Sequence, residues 1–117
     1  MGTEQLEEYY DLKMSQYNKR SDKFYIPIYT KIIEFLPENK NIKILDVGCG
    51  RGKLINILID NNYLNLCGID FSQWCINYCE NKFEKIPFLK INLKNKLCTK
   101  LIFEKSSIII STEVMEH

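Results

Sequence analysis

Apolar residues along this chain recur with two different periods, and the switching between them lays out its elements. Four runs of strand length carry apolar clusters: Ile42 to Val47, Leu64 to Ile69, Ile86 to Ile91 and Ser106 to Ser111. Strands buried on both faces of a parallel sheet look like this, Ile108, Ile109 and Ile110 most plainly. Pro87 stands near the start of the third run, where proline is tolerated. Helical spacing fills the intervals. Residues 24 to 36 predict a helix with Pro27 in its first turn, a core stripe of Ile28, Ile32, Phe35 and Leu36, and Pro37 as its stop. Leu54, Ile55, Ile57, Leu58 and Ile59 predict a second helix ending at Asn61-Asn62, and Ser72 is a natural N-cap for a third over Gln73 to Phe83. On that helix Trp74, Cys75, Tyr78 and Cys79 share one face, expected in the core. Residues 3 to 20 place Tyr9, Tyr10, Met14 and Tyr17 near one helical face, either packed on the domain or laid over a pocket as a lid. Residues 94 to 105 are lysine-rich around an apolar patch, Leu97 to Phe103, with room for a short helical turn.

Strand, helix, strand, helix, strand, strand is half of a doubly wound α/β sheet, and right-handed crossovers put the first strand inside it. At 117 residues the chain amounts to one small domain at most. Ending after the fourth strand would leave Ile108 to Ile110 as an apolar, unpaired edge, so a longer enzyme of which this is the N-terminal piece is expected.

The most informative stretch joins the first strand to the second helix: Asp46-Val47-Gly48-Cys49-Gly50-Arg51-Gly52-Lys53. Glycines at alternate positions let the backbone turn sharply and admit a ligand closely, because no Cβ intervenes. The turn opens a helix, whose free N–H groups favour anionic groups. A dinucleotide fingerprint, G-x-G-x-x-G, needs glycine at position 53, and Lys53 stands there. Asp46 adds negative charge beside the turn, which suits a ligand with a cationic part and opposes a pyrophosphate. Asp70 closes the second strand, where such folds hold a ribose; two carboxylate oxygens match a vicinal diol. Phe71, next along, could stack on a base or face the core.

Charge and cysteine usage remove other classes. With 16 basic against 15 acidic residues, the whole chain offers no field for nucleic acid or an anionic membrane. The local excess of Lys82, Lys85, Lys90, Lys94, Lys96, Lys100 and Lys105 reads as a solvated face before an RNA-facing strip. No membrane span, signal peptide or myristoylation signal is visible. Five scattered cysteines without a C-x-x-C pair read as reduced core residues of a cytoplasmic protein. Nothing in the sequence fixes an oligomeric state.

Asp-x-Gly-x-Gly-x-Gly after a strand resembles motif I of the class I S-adenosylmethionine-dependent methyltransferases, and the likeness covers roughly residues 40 to 117. It implies a partial Rossmann-like parallel sheet of order 3-2-1-4 with helices on both faces, preceded by an N-terminal helical cap over residues 1–37. Residues 38–117 would be the N-terminal part of the cofactor-binding domain, cut after the fourth strand. S-adenosyl-L-methionine carries an ammonium and a sulfonium beside one carboxylate, so an acidic cradle rich in N–H groups suits it. Under the resemblance Asp46 takes the methionyl end, and Gly48, Cys49, Gly50 and Gly52 form the turn around it. Asp70 takes the ribose, Phe71 the adenine face, Asn92 and Leu93 the adenine edge, and Glu113 the methyl-transfer side. The family often has an acidic residue where Asn92 stands; its carbonyl can still accept from the adenine amino group. Tyr10-Asp11 and Tyr17-Asn18 are similar to pairs found in lid segments of such enzymes.

The implied activity is methyl transfer to an acceptor, a small molecule ahead of RNA. Glu113, Glu116 and His117 would share a helical face and could hold a divalent cation, as in enzymes that methylate the ribose 2′-hydroxyl at RNA 3′ ends. Near-identical strings in small-molecule methyltransferases need no metal, and no metal is assigned. His117 could act as a base toward a hydroxyl, but no catalytic residue is assigned. A nicotinamide-dependent dehydrogenase and an inactive cofactor-binding module are the alternatives.

Overall fold

Residues 20–91 and 108–111 are described by the computed structural model, the side chains from residue 26 onward. The elements are α1 (Arg20–Phe35), β1 (Ile44–Val47), α2 (Lys53–Asp60), β2 (Leu66–Asp70), α3 (Gln73–Lys82), β3 (Phe88–Lys90) and β4 (Ile108–Ser111). The strands form one sheet in the order β3-β2-β1-β4, every neighbouring pair parallel. This is the α/β arrangement and strand order expected from the sequence. The tyrosine-bearing segment up to residue 19, the lysine-rich stretch 94–105, Asn92, Leu93, Glu113, Glu116 and His117 lie outside the described residues.

Every residue of β1 and β2 is buried, which explains why both are mostly apolar, with Asp46 and Asp70 as the buried exceptions. Alternate residues serve opposite faces. Ile44 and Leu66 join a cluster with Leu54, Ile55 and Leu58 of α2 and with Ile76, Cys79 and Phe83 around α3. Leu45, Val47, Cys67 and Ile69 form a second cluster, with Ile91 against it. Two right-handed crossovers running the same way, β1 to β2 to β3, bring α2 and α3 to one face.

β4 stands at the edge of the sheet, as the expected order implies, and is less buried than a run of isoleucines suggests. Among the described residues it pairs only with β1, and Ile109 is 44% exposed while Ile108 and Ile110 are half-buried. An edge strand loses the cover that a second neighbour supplies.

α1 departs from expectation in two respects. It starts one turn early, at Arg20, so Pro27 sits inside the helix instead of in its first turn. It is also rotated: Tyr29 is buried, with Ile32, Ile33 and Leu36 against the same cluster, while Ile28 and Phe35 are exposed. The buried stripe i, i+3, i+4, i+7 keeps Ile32 and Leu36 of the expected one and has Tyr29 and Ile33 in place of Ile28 and Phe35.

α2 ends as Asn61-Asn62 foretold. Asn62 adopts the left-handed conformation at φ 68°, its N–H bonds Ile59 O at 2.9 Å, and the Tyr63 N–H bonds Leu58 O at 3.0 Å. This doubly bonded cap satisfies carbonyls that the helix leaves open. Tyr63 is then buried and donates its hydroxyl to Pro37 O at 2.7 Å, fastening the end of α2 to the exit of α1. Ser72 caps α3 as expected, accepting from Cys75 N at 3.3 Å.

Gly68, in the middle of β2, carries a constraint of its own. A Cβ there would stand 2.6 Å from the Phe88 ring and 3.2 Å from Cys49 Cβ. The ring of Phe88, which also meets Phe83 at 5.9 Å between centroids, occupies the space a side chain would need. Gly68→Ala is therefore expected to destabilise the fold by about 1–3 kcal/mol, as overpacking of a close-packed core does; urea unfolding of the two proteins measures it.

Candidate functional site

The site grows from the carboxyl ends of β1 and β2, adjacent central strands. Beyond Val47 the chain turns through three glycines at positive φ: Gly48 at 76°, Gly50 at 54° and Gly52 at 76°. Other residues adopt this region at a cost, so the alternate spacing is a backbone requirement. The last apolar carbonyl of β2, Ile69 O, accepts both Gly48 N–H (2.8 Å) and Cys49 N–H (3.0 Å). Gly52 N–H closes the turn on Cys49 O at 2.8 Å.

Asp70 holds this turn from the other side. Its Oδ2 accepts the Gly50 N–H and its Oδ1 the Ser72 N–H, both at 2.9 Å. One buried carboxylate thereby joins the turn after β1 to the cap of α3. Asp46 is buried too, level with Gly68 on β2 and Ile110 on β4. Its Oδ1 atom has no hydrogen-bond partner among the described residues, while the residue is engaged through other contacts.

The glycines divide their work. A Cβ on Gly52 would come within 2.5 Å of the Phe83 ring and 3.2 Å of Cys79 Sγ, so its missing side chain makes room for the end of α3. Among the described residues, a Cβ on Gly50 would meet nothing within 4 Å beyond its own chain neighbours. There the clearance faces open space, on the residue whose N–H is already fixed by Asp70. That is a ledge a ligand can approach at backbone distance.

Cys49 lies under the turn. Its hydrogen bond with Cys79, its burial, and then charge on Cys79, Asp46 and Asp70 all push its thiol far above the ordinary value. Cys79 in turn donates to Gly50 O at 3.2 Å. The Cys49 thiol is therefore a neutral packing group, and both sulfurs brace the turn. Phe71, immediately after Asp70, is half-buried. Among the described residues no three His, Cys, Asp or Glu side chains come together as a metal set, and no helix is long and apolar enough to cross a membrane.

Trp74 and Tyr78 are less buried than their spacing suggested, Tyr78 packing against the core cluster from its edge. The buried face of α3 is Cys75, Ile76 and Cys79, one position round, and the two aromatic residues are half-buried beside it. Their rings stack at 5.3 Å and 18°, with the Arg51 guanidinium 5.3 Å from the Trp74 centroid and 5.9 Å from that of Tyr78. The i, i+4 spacing of two aromatic residues was the available signal for the pair; the approach of Arg51 from a different loop had none.

A family described as "Methyltransferase domain" matches residues 17–117, nearly the whole chain. This chain belongs to the methyltransferase domain family. Among curated relatives, a ubiquinone/menaquinone biosynthesis C-methyltransferase UbiE of Campylobacter jejuni serotype O:2 is 36% identical over 62 residues, covering 48% of this chain and 26% of the relative. Its counterpart from strain 81-176 is 34% identical over the same length and shares. Among solved structures, the CurJ carbon methyltransferase superposes with a TM-score of 0.52 at 17% identity, over 71% of this chain and 24% of that one. At that identity the likeness concerns the fold. The chain thus spans about a quarter of the length of these relatives. Within the methyltransferase domain, the glycine turn and Asp70 are the parts that the fold brings together, at the carboxyl edge of the sheet where α/β proteins take ligands.

The buried Cys49 thiol gives this methyltransferase domain a pH signature. A folded-state value raised above the unfolded one means its contribution is fully present below pH 9.0, the ordinary value, and is lost as pH rises beyond it. Stability of the wild type relative to Cys49→Ala should be flat up to that point and then fall by at most about 1.4 kcal/mol per pH unit. Urea unfolding from pH 7 to pH 10 reads the difference.

Proposed function

We propose that the ledge at Gly50 binds S-adenosylmethionine and that the protein transfers its methyl group to a small-molecule acceptor. One observation carries the reading: Gly50 has a fixed N–H, a positive φ and open space where a side chain would be, between two buried carboxylates at neighbouring strand ends. The donor set fits the cofactor's chemistry. Carboxylates suit its ammonium, sulfonium and ribose hydroxyls, and the N-terminus of α2 suits its carboxylate.

When bound, the sulfonium supplies an electrophilic methyl group, so the protein's contribution is placement and exclusion of water. Asp46 is assigned to the methionyl end, and Gly48, Cys49, Gly50 and Gly52 to the turn beside it. Asp70 is assigned to the ribose: its carboxylate, held in place by the Gly50 and Ser72 N–H groups, matches a vicinal diol. Phe71, half-exposed at the edge, is assigned to the adenine face. Asn92 and Leu93 at the adenine edge and Glu113 on the methyl-transfer side complete the proposal from outside the described residues. So does the division into a helical cap over 1–37, whose α1 shares the core of the α/β unit, and a cofactor-binding part over 38–117.

The choice of a small-molecule acceptor draws support from the relatives, which are named as methyltransferases of quinone biosynthesis. Four described cysteines carry free thiols, in keeping with a reducing, cytoplasmic setting.

Calorimetric titration of the full-length protein with S-adenosylmethionine and, separately, NAD tests the reading. Saturable binding of the first alone is expected; binding of NAD alone, or of neither, would remove it. Asp70→Asn, which keeps one acceptor oxygen and loses the charge, should weaken the adenosyl cofactor by about tenfold or more, the cost of a charged hydrogen bond. An unchanged affinity would detach the ribose from Asp70.

A further inference from the structure

Arg51 is the one residue of the Gly50–Gly52 segment with a side chain, so it is the only hold that the segment itself can extend to another element through a side chain. The glycines on either side have the widest backbone freedom of any residue, and both are used at positive φ. The backbone there is anchored at Gly50 N–H by Asp70, at Gly50 O by Cys79 and at Gly52 N–H by Cys49 O. The Arg51 guanidinium reaches α3 and lies over the stacked rings of Trp74 and Tyr78, within cation–π range of both. Lys82 approaches the Tyr78 ring at 5.8 Å, one helical turn further on. The aromatic pair is rigid because its members stack on each other at i, i+4, and a planar guanidinium exploits a flat platform better than an ammonium does.

We infer that Arg51 is a positioning residue: docked on the Trp74–Tyr78 pair, it holds the Gly50–Gly52 segment in the shape that keeps the Gly50 ledge open to the adenosyl cofactor. The inference rests on the cofactor reading proposed above. It assigns the aromatic row of α3 a part in ligand binding, although neither ring belongs to the buried face. Without the dock, the two glycines flanking Arg51 would sample other turn shapes, and the binding-competent fraction, hence the apparent affinity, would fall. Trp74 is also the one tryptophan of the 117 residues, so its emission reports on the dock.

The test is titration of the full-length protein with S-adenosylhomocysteine, by calorimetry and by the emission of Trp74, isolated as the difference between wild type and Trp74→Phe. Wild type should bind with a change in that emission. Arg51→Met should bind about tenfold more weakly, the loss of two cation–π contacts, and show no emission change. Its melting temperature should stay within about 2 °C of wild type, as for a surface substitution. Arg51→Lys, which keeps the charge without the planar fork, should recover part of the affinity. Trp74→Leu removes the platform without touching the turn and should weaken binding to a similar extent, which keeps the inference testable if Arg51→Met does not fold. Affinities within twofold of wild type for Arg51→Met or Trp74→Leu would overturn it. Failure of the wild type to bind would instead overturn the cofactor reading.

Discussion

The site depends on one carboxylate that bonds two backbone N–H groups from different loops. Asp70 sits at the end of β2, buried, and accepts from Gly50 and Ser72 at 2.9 Å each. Hydrogen bonds to a charged acceptor are worth about 1.5–3 kcal/mol net, more than a neutral pair. A buried carboxylate without such partners would be costly, so the turn and the cap are as necessary to Asp70 as it is to them. This mutual requirement fixes the loop after β1 against the loop after β2. Hydroxyls arriving at Asp70 would meet an acceptor whose orientation has already been set, with no side chain left to order.

The surrounding close contacts show why the glycines cannot be exchanged for one another. Gly52 is small so that Phe83 and Cys79 can approach the start of α2, and Gly68 is small so that Phe88 can cross β2. These two glycines let α3 and β3 come close beneath the turn. Gly50 is small in the other direction, toward open space. Packing behind and clearance in front are separate demands met by alternate residues of one short loop. The thiols beneath it follow the same logic: hydrogen bonding and burial keep Cys49 protonated, so it adds no further negative charge beside Asp46 and Asp70.

Most of the scaffold could be read from the sequence because β1, β2 and the glycine turn are fixed by local patterns that nothing overrides. Apolar runs, a positive-φ spacing and a serine cap each have one structural solution. The misreadings involve choices between neighbouring stripes of a helix. On α1, Ile28 and Phe35 are more apolar than Tyr29, yet Tyr29 is buried. On α3, Cys75 and Cys79 are buried as expected, but Ile76 completes the buried face while Trp74 and Tyr78 are only half-buried. Which stripe wins is decided by the partner surface, and that surface is distant in sequence. Gly68 was overlooked for a similar reason: a lone glycine in a strand does not reveal which ring will cross it.

The charge arrangement also decides between ligand classes that this fold can carry. A pyrophosphate brought to the turn would have Asp46 beside it, buried, where screening by water is weakest. At an effective dielectric constant of about 20, like charges roughly 5 Å apart repel by about 3 kcal/mol per pair. The helix N-terminus offers only about half a unit of positive charge in return. Arg51, the cation nearest in sequence, has its guanidinium over the rings of α3. An adenosyl sulfonium, under the reading proposed above, would reverse the sign of the problem: its ammonium and sulfonium would find Asp46 attractive, and its single carboxylate would fall to the helix terminus. The same charge that opposes a pyrophosphate would then favour a cationic nucleoside.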